Sequence, residues 1–139
     1  MATTVVRYML DTNAVSYIMK GNTHMAQRLA SLPLSAVCIS AVTEGELRYG
    51  LAKRPTFTRL RIAVEELLRR VDVLPWDSTV AASYGELRAN LETQGRVLQS
   101  LDMMIAAHAL STDTVLISSD RAFGLVVGLK LEDWISDGE

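Results

Sequence analysis

Short apolar runs that stop abruptly on polar residues recur along the chain, with stretches of helical periodicity between them. The first run, Val5 to Leu10, is rich in β-formers and ends on Asp11-Thr12-Asn13. It reads as a buried strand whose carboxyl end opens directly into a helix. A helix is predicted over Thr12 to Lys20, with Val15 and Ile18 on its apolar side, closing at Gly21-Asn22. A second follows over Thr23 to Ala30, punctuated by Pro33. Ala36 to Ile39 is the second strand, and Ser40 is a natural cap for the helix after it. In that helix Val42, Glu46 and Tyr49 share a face expected to point inward, and Gly50 and Pro55 are the expected stop. Glu44 lies about 200° around the axis, on a face expected to be solvated.

The next helix, Thr56 to Arg70, buries Leu60, Val64, Leu67 and Leu68, and its Arg59, Arg61, Arg69 and Arg70 form a solvated face. Val71 to Leu74 is the third strand. Asp77 or Ser78 caps a long helix to Leu91, with Ala81, Tyr84, Leu87 and Leu91 expected inside, and Glu92 to Gln99 reads as a loop. Ser100 is the expected cap of a helix that is almost wholly apolar beyond Asp102, and so is packed on the sheet. His108 on that helix reads as a hydrogen-bonded core residue. Thr114 to Ile117 is the fourth strand, ending in Ser118-Ser119-Asp120, the same grammar as the first. Leu129 to Leu131 is a short last strand, and Trp134 covers an edge of the core. The alternation implies one α/β domain over residues 1–139. It has three layers, a central parallel sheet of four to five strands with helices on both faces.

Composition narrows the classes. The chain has 139 residues, 49% of them apolar, and no apolar run approaches the roughly 18 residues of a membrane span. Met1 to Val6 has none of the basic and apolar regions of a signal peptide, so a cytoplasmic protein with no membrane partner is expected. Cys38, in an apolar strand, reads as a buried hydrophobe. One Cys and two His leave no Cys/His zinc site. A net charge of −2 argues against a general nucleic-acid coat, but not against a nuclease that gathers carboxylates around a metal.

The acids are the candidate chemistry. Asp11 and Asp120 follow strands, Asp102 starts a buried helix, and Glu46 sits on an inward stripe. Each has a structural explanation of its own. Asp11 or Thr12 can cap a helix, and the helix dipole favours Asp102 in a first turn. Gathered at one sheet edge, however, they repel: two charges about 4 Å apart cost roughly 4 kcal/mol at an effective dielectric of about 20. Their pKa values should rise in the absence of a cation. Oxygen-only ligands favour Mg²⁺ or Mn²⁺, which can activate water against phosphorus. Thr12, Asn13, Ser118 and Ser119 are candidates to orient the carboxylates or the phosphate. A dehalogenase-type phosphatase would need Asp-x-Asp where this chain has Asn13. A receiver domain would need an Asp after the third strand, where Leu74-Pro75-Trp76 stands.

Four stretches carry a resemblance. They are Met9-Leu10-Asp11-Thr12-Asn13; Ile39-Ser40-Ala41-Val42-Thr43-Glu44-Gly45-Glu46-Leu47-Arg48-Tyr49-Gly50; Leu101-Asp102-Met103-Met104-Ile105-Ala106-Ala107-His108-Ala109; and Asp120-Arg121-Ala122-Phe123 with Glu132-Asp133-Trp134. In that order they resemble PIN-domain proteins, and more narrowly the VapC toxins of bacterial toxin–antitoxin pairs. The resemblance implies a PIN fold and a Mg²⁺- or Mn²⁺-dependent endoribonuclease acting on RNA. It also implies a homodimer and a cognate antitoxin through which operator DNA is met. It carries metal-site roles onto Asp11, Glu46, Asp102 and Asp120, and supporting polar roles onto Thr12 and Ser118. The chain departs from it at Ser118-Ser119-Asp120, where many relatives have Thr-Asn-Asp or Thr-Asn-Asn. It departs again at Val127, where a Pro often precedes the Gly matching Gly128. The rival reading is a non-catalytic PIN partner of an antitoxin in a DNA-bound repressor.

Overall fold

The structure, a computed structural model, describes residues 6–135. Val5, the expected start of the first strand, and most of the Met1 to Val6 stretch lie outside the described residues. Among the described residues, five short strands form one parallel sheet: β1 (Tyr8–Leu10), β2 (Val37–Ser40), β3 (Asp72–Leu74), β4 (Val115–Ile117) and β5 (Leu131–Glu132), in the order β3-β2-β1-β4-β5. The helices are α1 (Thr12–Met19), α2 (Thr23–Ala30), α3 (Ala41–Lys53), α4 (Thr58–Arg70), α5 (Ser78–Thr93) and α6 (Ser100–Thr112). No described helix is long and apolar enough to cross a membrane.

The two-residue period of the strands divides the core. Met9 is registered with Cys38 and Leu116, and all three face Leu87 and Leu91 of α5 and Ile105, Ala106 and Ala109 of α6. Their neighbours Leu10, Val37, Ile39, Val115 and Ile117 point the other way, onto Val15 of α1, Met25 of α2, Leu67 of α4 and Trp134. Strands buried on both faces need continuous apolar runs, which is why the sequence shows runs rather than alternation. Trp134 is fully buried, with its indole N–H donating to Glu132 at 3.1 Å, and it packs beside Tyr8. Cys38 is buried, and desolvation pushes its thiol up to about 11.

Several expected boundaries shift. β1 and β4 are shorter than their apolar runs, because pairing covers only the registered residues. The last strand is Leu131–Glu132 rather than Leu129 to Leu131. α3 does not stop at Gly50 but continues to Lys53, since Leu51 is buried and anchors the extra turn. The stripe of α3 is also corrected: Thr43 and Leu51 are buried with Leu47 partly so, while Tyr49 is 61% exposed. Glu44, expected in solvent, is half-buried and paired with Arg48 at 2.9 Å. In α5 the inward row is Val80, Tyr84, Leu87 and Leu91; Ala81 lies one position off it and is exposed. Ser100 is the first residue of α6, not its cap; Gln99 holds that place without a side-chain bond.

Candidate active site

All five strands are parallel, so their carboxyl ends share one edge of the sheet. In an open α/β sheet, ligands bind at that edge. Asp11 leaves β1 there in extended conformation, and its backbone N–H donates to Ile117 of β4 at 3.1 Å. Its carboxylate accepts the Ala14 N–H at 2.7 Å, capping α1. Ser118, at the end of β4, supplies a second hydrogen bond to that carboxylate. The Ser118 hydroxyl oxygen in turn accepts the Asp120 N–H at 3.0 Å, so one serine links two acids. Asp120 caps a 3₁₀ turn, Arg121–Leu125, by accepting the Ala122 N–H at 2.9 Å. Asp102 stands in the first turn of α6.

The four acids meet. Asp11, Glu46, Asp102 and Asp120 line a single open cavity of about 430 Å³, together with Thr12 and Asn13. Asp11 is only 3% exposed, and burial raises its pKa against the opposing hydrogen bonds from Ser118 and Ala14. Asp102 and Asp120 raise it further by repulsion. The Asp102 carboxyl is raised by desolvation first and by Asp120 second. Glu46 faces the cavity from α3 without figuring among the charges that act on Asp11 or Asp102. Asp11 is thus a helix cap and a cavity acid at once. Ser118 sits behind it as a hydrogen-bonding support. Ser119, expected to help orient the edge, is exposed and does not line the cavity.

The donor set suits a hard cation. It contains only oxygens, and the Thr12 hydroxyl is buried without a partner among the described residues. Among the described residues, no group of three or more His, Cys, Asp or Glu side chains is disposed to hold a metal ion by itself. The fit is therefore to a cation that keeps several waters and is held through one or two carboxylates, as Mg²⁺ is. The cavity has a wall that the motifs did not mark: Val97, Leu98 and Gln99, from the loop before α6, line it, and Val97 is 85% exposed. That loop carries no periodic signal, and its place beside the acids follows from the packing of α5 on α6.

Comparisons with known proteins agree with this fold. The family model for the PIN domain matches residues 8–129. The chain is 36% identical over 131 residues to the tRNA(fMet)-specific endonuclease VapC of Shigella flexneri, covering 94% of this chain and 99% of that one. Among solved structures it is similar to DNA-bound VapBC from Salmonella typhimurium, with a TM-score of 0.87 and 35% identity over 93% of this chain and 98% of that one. It is likewise similar to VapBC2 from Rickettsia felis bound to a DNA fragment from their promoter, with a TM-score of 0.87 and 28% identity over 93% and 99% of the two chains.

Proposed function

Because the chain belongs to the PIN domain family, among the VapC ribonucleases, we propose that it is the endoribonuclease toxin of a toxin–antitoxin pair. In this reading it hydrolyses RNA phosphodiester bonds with Mg²⁺ or Mn²⁺ and is neutralised by a cognate antitoxin. The observation that carries the reading is the meeting of Asp11, Glu46, Asp102 and Asp120 in one cavity at the carboxyl edge of the sheet. Two of these acids are held there at an electrostatic cost that a cation would relieve.

Asp11 and Asp102 are the residues best placed to hold the cation, with Asp120 and Glu46 beside them and the Thr12 hydroxyl as a further oxygen. When bound, the cation supplies positive charge for the phosphate and acidity for an attacking water. The protein supplies placement. Ser118 and the Ala14 N–H fix the Asp11 carboxylate, the Ala122 N–H fixes Asp120, and the start of α6 sets Asp102. Asn13 lines the cavity and has amide groups suited to a phosphate or ribose oxygen.

The test is cleavage of RNA by purified, antitoxin-free protein with added Mn²⁺ or Mg²⁺ and with chelator. The Shigella flexneri relative is named for tRNA(fMet), so that tRNA is the first substrate to try. Cleavage abolished by chelator and restored by either cation is expected. The solved complexes bound to DNA raise a second reading, a partner in a promoter-bound complex, which does not by itself exclude catalysis. No cleavage of any RNA by the metal-loaded protein would leave that reading standing.

A further inference from the structure

Ser40 ends β2 and caps α3, and its hydroxyl oxygen accepts the Val42 N–H at 3.1 Å. The same oxygen lies 2.7 Å from Nδ1 of His108 on α6. Both residues are wholly buried. Counting donors assigns the proton between them. The Ser40 oxygen already accepts from Val42, so its own hydrogen needs an acceptor, and the bare Nδ1 of a neutral imidazole is one. The opposite arrangement, with Nδ1–H donating, would leave both the serine hydrogen and Nε2 unpaired in the interior, at a cost for each. With Ser40 as donor, only the Nε2–H lacks a partner among the described residues.

This bond joins the two helices that carry acids into the cavity. Ser40 stands at the start of the helix bearing Glu46, and His108 stands on the helix bearing Asp102. α3 divides its packing: Thr43 and Leu51 are its buried residues, and it gives Val42 to one core and Leu47 to the other. A helix divided in this way between two cores can shift or rotate by small amounts unless its first turn is tied. We infer that His108 is a positioning residue: by accepting the Ser40 hydroxyl it pins the N-terminus of α3 and thereby sets Glu46 against Asp102 across the cavity. The inference rests on the nuclease reading of the acidic site. It adds a residue that touches neither metal nor RNA.

The experiment compares His108→Asn, His108→Gln, His108→Leu and Ser40→Ala in the full chain. The Asn side-chain oxygen can take the place of Nδ1, whereas the longer Gln side chain reaches toward Nε2 and leaves Ser40 unpaired. kcat and KM for RNA cleavage at saturating metal are expected to separate the variants. His108→Gln, His108→Leu and Ser40→Ala should lose roughly 10- to 100-fold in kcat with KM little changed, the scale set by a misplaced reacting group. His108→Asn should retain kcat within a few-fold of the wild type. The second readout is the Glu46 backbone amide resonance, which should move in the Gln variant and stay in the Asn variant. If the Leu variant fails to fold, the Asn–Gln pair still decides. Wild-type kcat in His108→Gln, or equal losses in the Asn and Gln variants at matched thermal stability, would overturn the inference. A wild-type protein that cleaves no RNA would instead sink the nuclease reading, while the Glu46 amide would still decide whether His108 sets α3.

Discussion

At the scale of single residues, two acids of the cavity are held at a cost in stability. Asp11 and Asp102 have raised pKa values, so their ionised forms cost folding free energy that is relieved as pH falls through those values. Asp11→Asn, Glu46→Gln and Asp102→Asn are each expected to abolish RNA cleavage. The Asp11 and Asp102 variants should melt at the same temperature as the wild type or higher at neutral pH, because the amide removes the repulsion and Asn can still cap α1. Equal cleavage by wild type and Asp11→Asn, in nuclease-free preparations, would refute the assignment. Asp120→Asn should be milder, because its oxygen can still accept the Ala122 N–H. His108 has the opposite sign. Burial lowers it below its ordinary 6.5 despite the pull of Asp77, so the folded state resists a proton that the unfolded chain accepts. Its contribution is whole above 6.5 and is lost as pH falls below it. Melting temperatures of wild type and His108→Asn between about pH 8 and about pH 5 should therefore converge or cross toward the acid end. A constant difference would show that His108 is not held neutral.

At the scale of elements, α3 is the one whose sequence misleads. Its glycines suggest a short helix, yet it runs through Gly50, where a Cβ would meet nothing within 4 Å. Gly50→Ala should therefore stabilise the protein by about 0.5–1 kcal/mol, the cost of an interior helical glycine. Urea denaturation would read this as a higher midpoint at unchanged slope. Two other glycines behave differently: Gly95, in the loop after α5, and Gly128, before β5, both sit at positive φ, where any side chain is strained. Val127, where relatives often have Pro, is 76% exposed.

At the scale of the whole molecule, apolar surface is left uncovered. Phe57 and Ile62 near and on α4, Tyr49 on α3 and Leu34 before β2 are all more than half exposed. A chain of this size cannot bury every such face by itself. A symmetric homodimer is the expected assembly, with sedimentation equilibrium at tens of micromolar as its check and a monomer as the contrary result. The acidic cavity also suits a guanidinium, whose fixed donors match carboxylates. An antitoxin segment should place an Arg, or less often a Lys, near Asp11, Glu46, Asp102 and Asp120. Replacing that residue should restore cleavage more than it weakens binding. Full inhibition by a peptide with every Arg and Lys replaced, at unchanged affinity, would exclude this mechanism.

Much of this was legible in the chain itself, for a physical reason. Buried parallel strands need apolar runs, and a run that stops on Asp-Thr-Asn or Ser-Ser-Asp announces a strand end whose polar groups must be used. Asp11, Asp102 and Asp120 were therefore placed at one edge before any coordinates. Glu46 joined them from the spacing of its helix, which set it on an inward stripe, and the resemblance then carried metal-site roles onto all four. Tertiary structure alone decided what depends on contacts between distant segments. The face of α3 followed from its division between two cores, not from its periodicity. The exposure of Ala81 followed from where α6 packs on α5. The cavity wall at Val97 to Gln99 and the bond from Ser40 to His108 join residues far apart in the chain, and no local pattern encodes such a meeting.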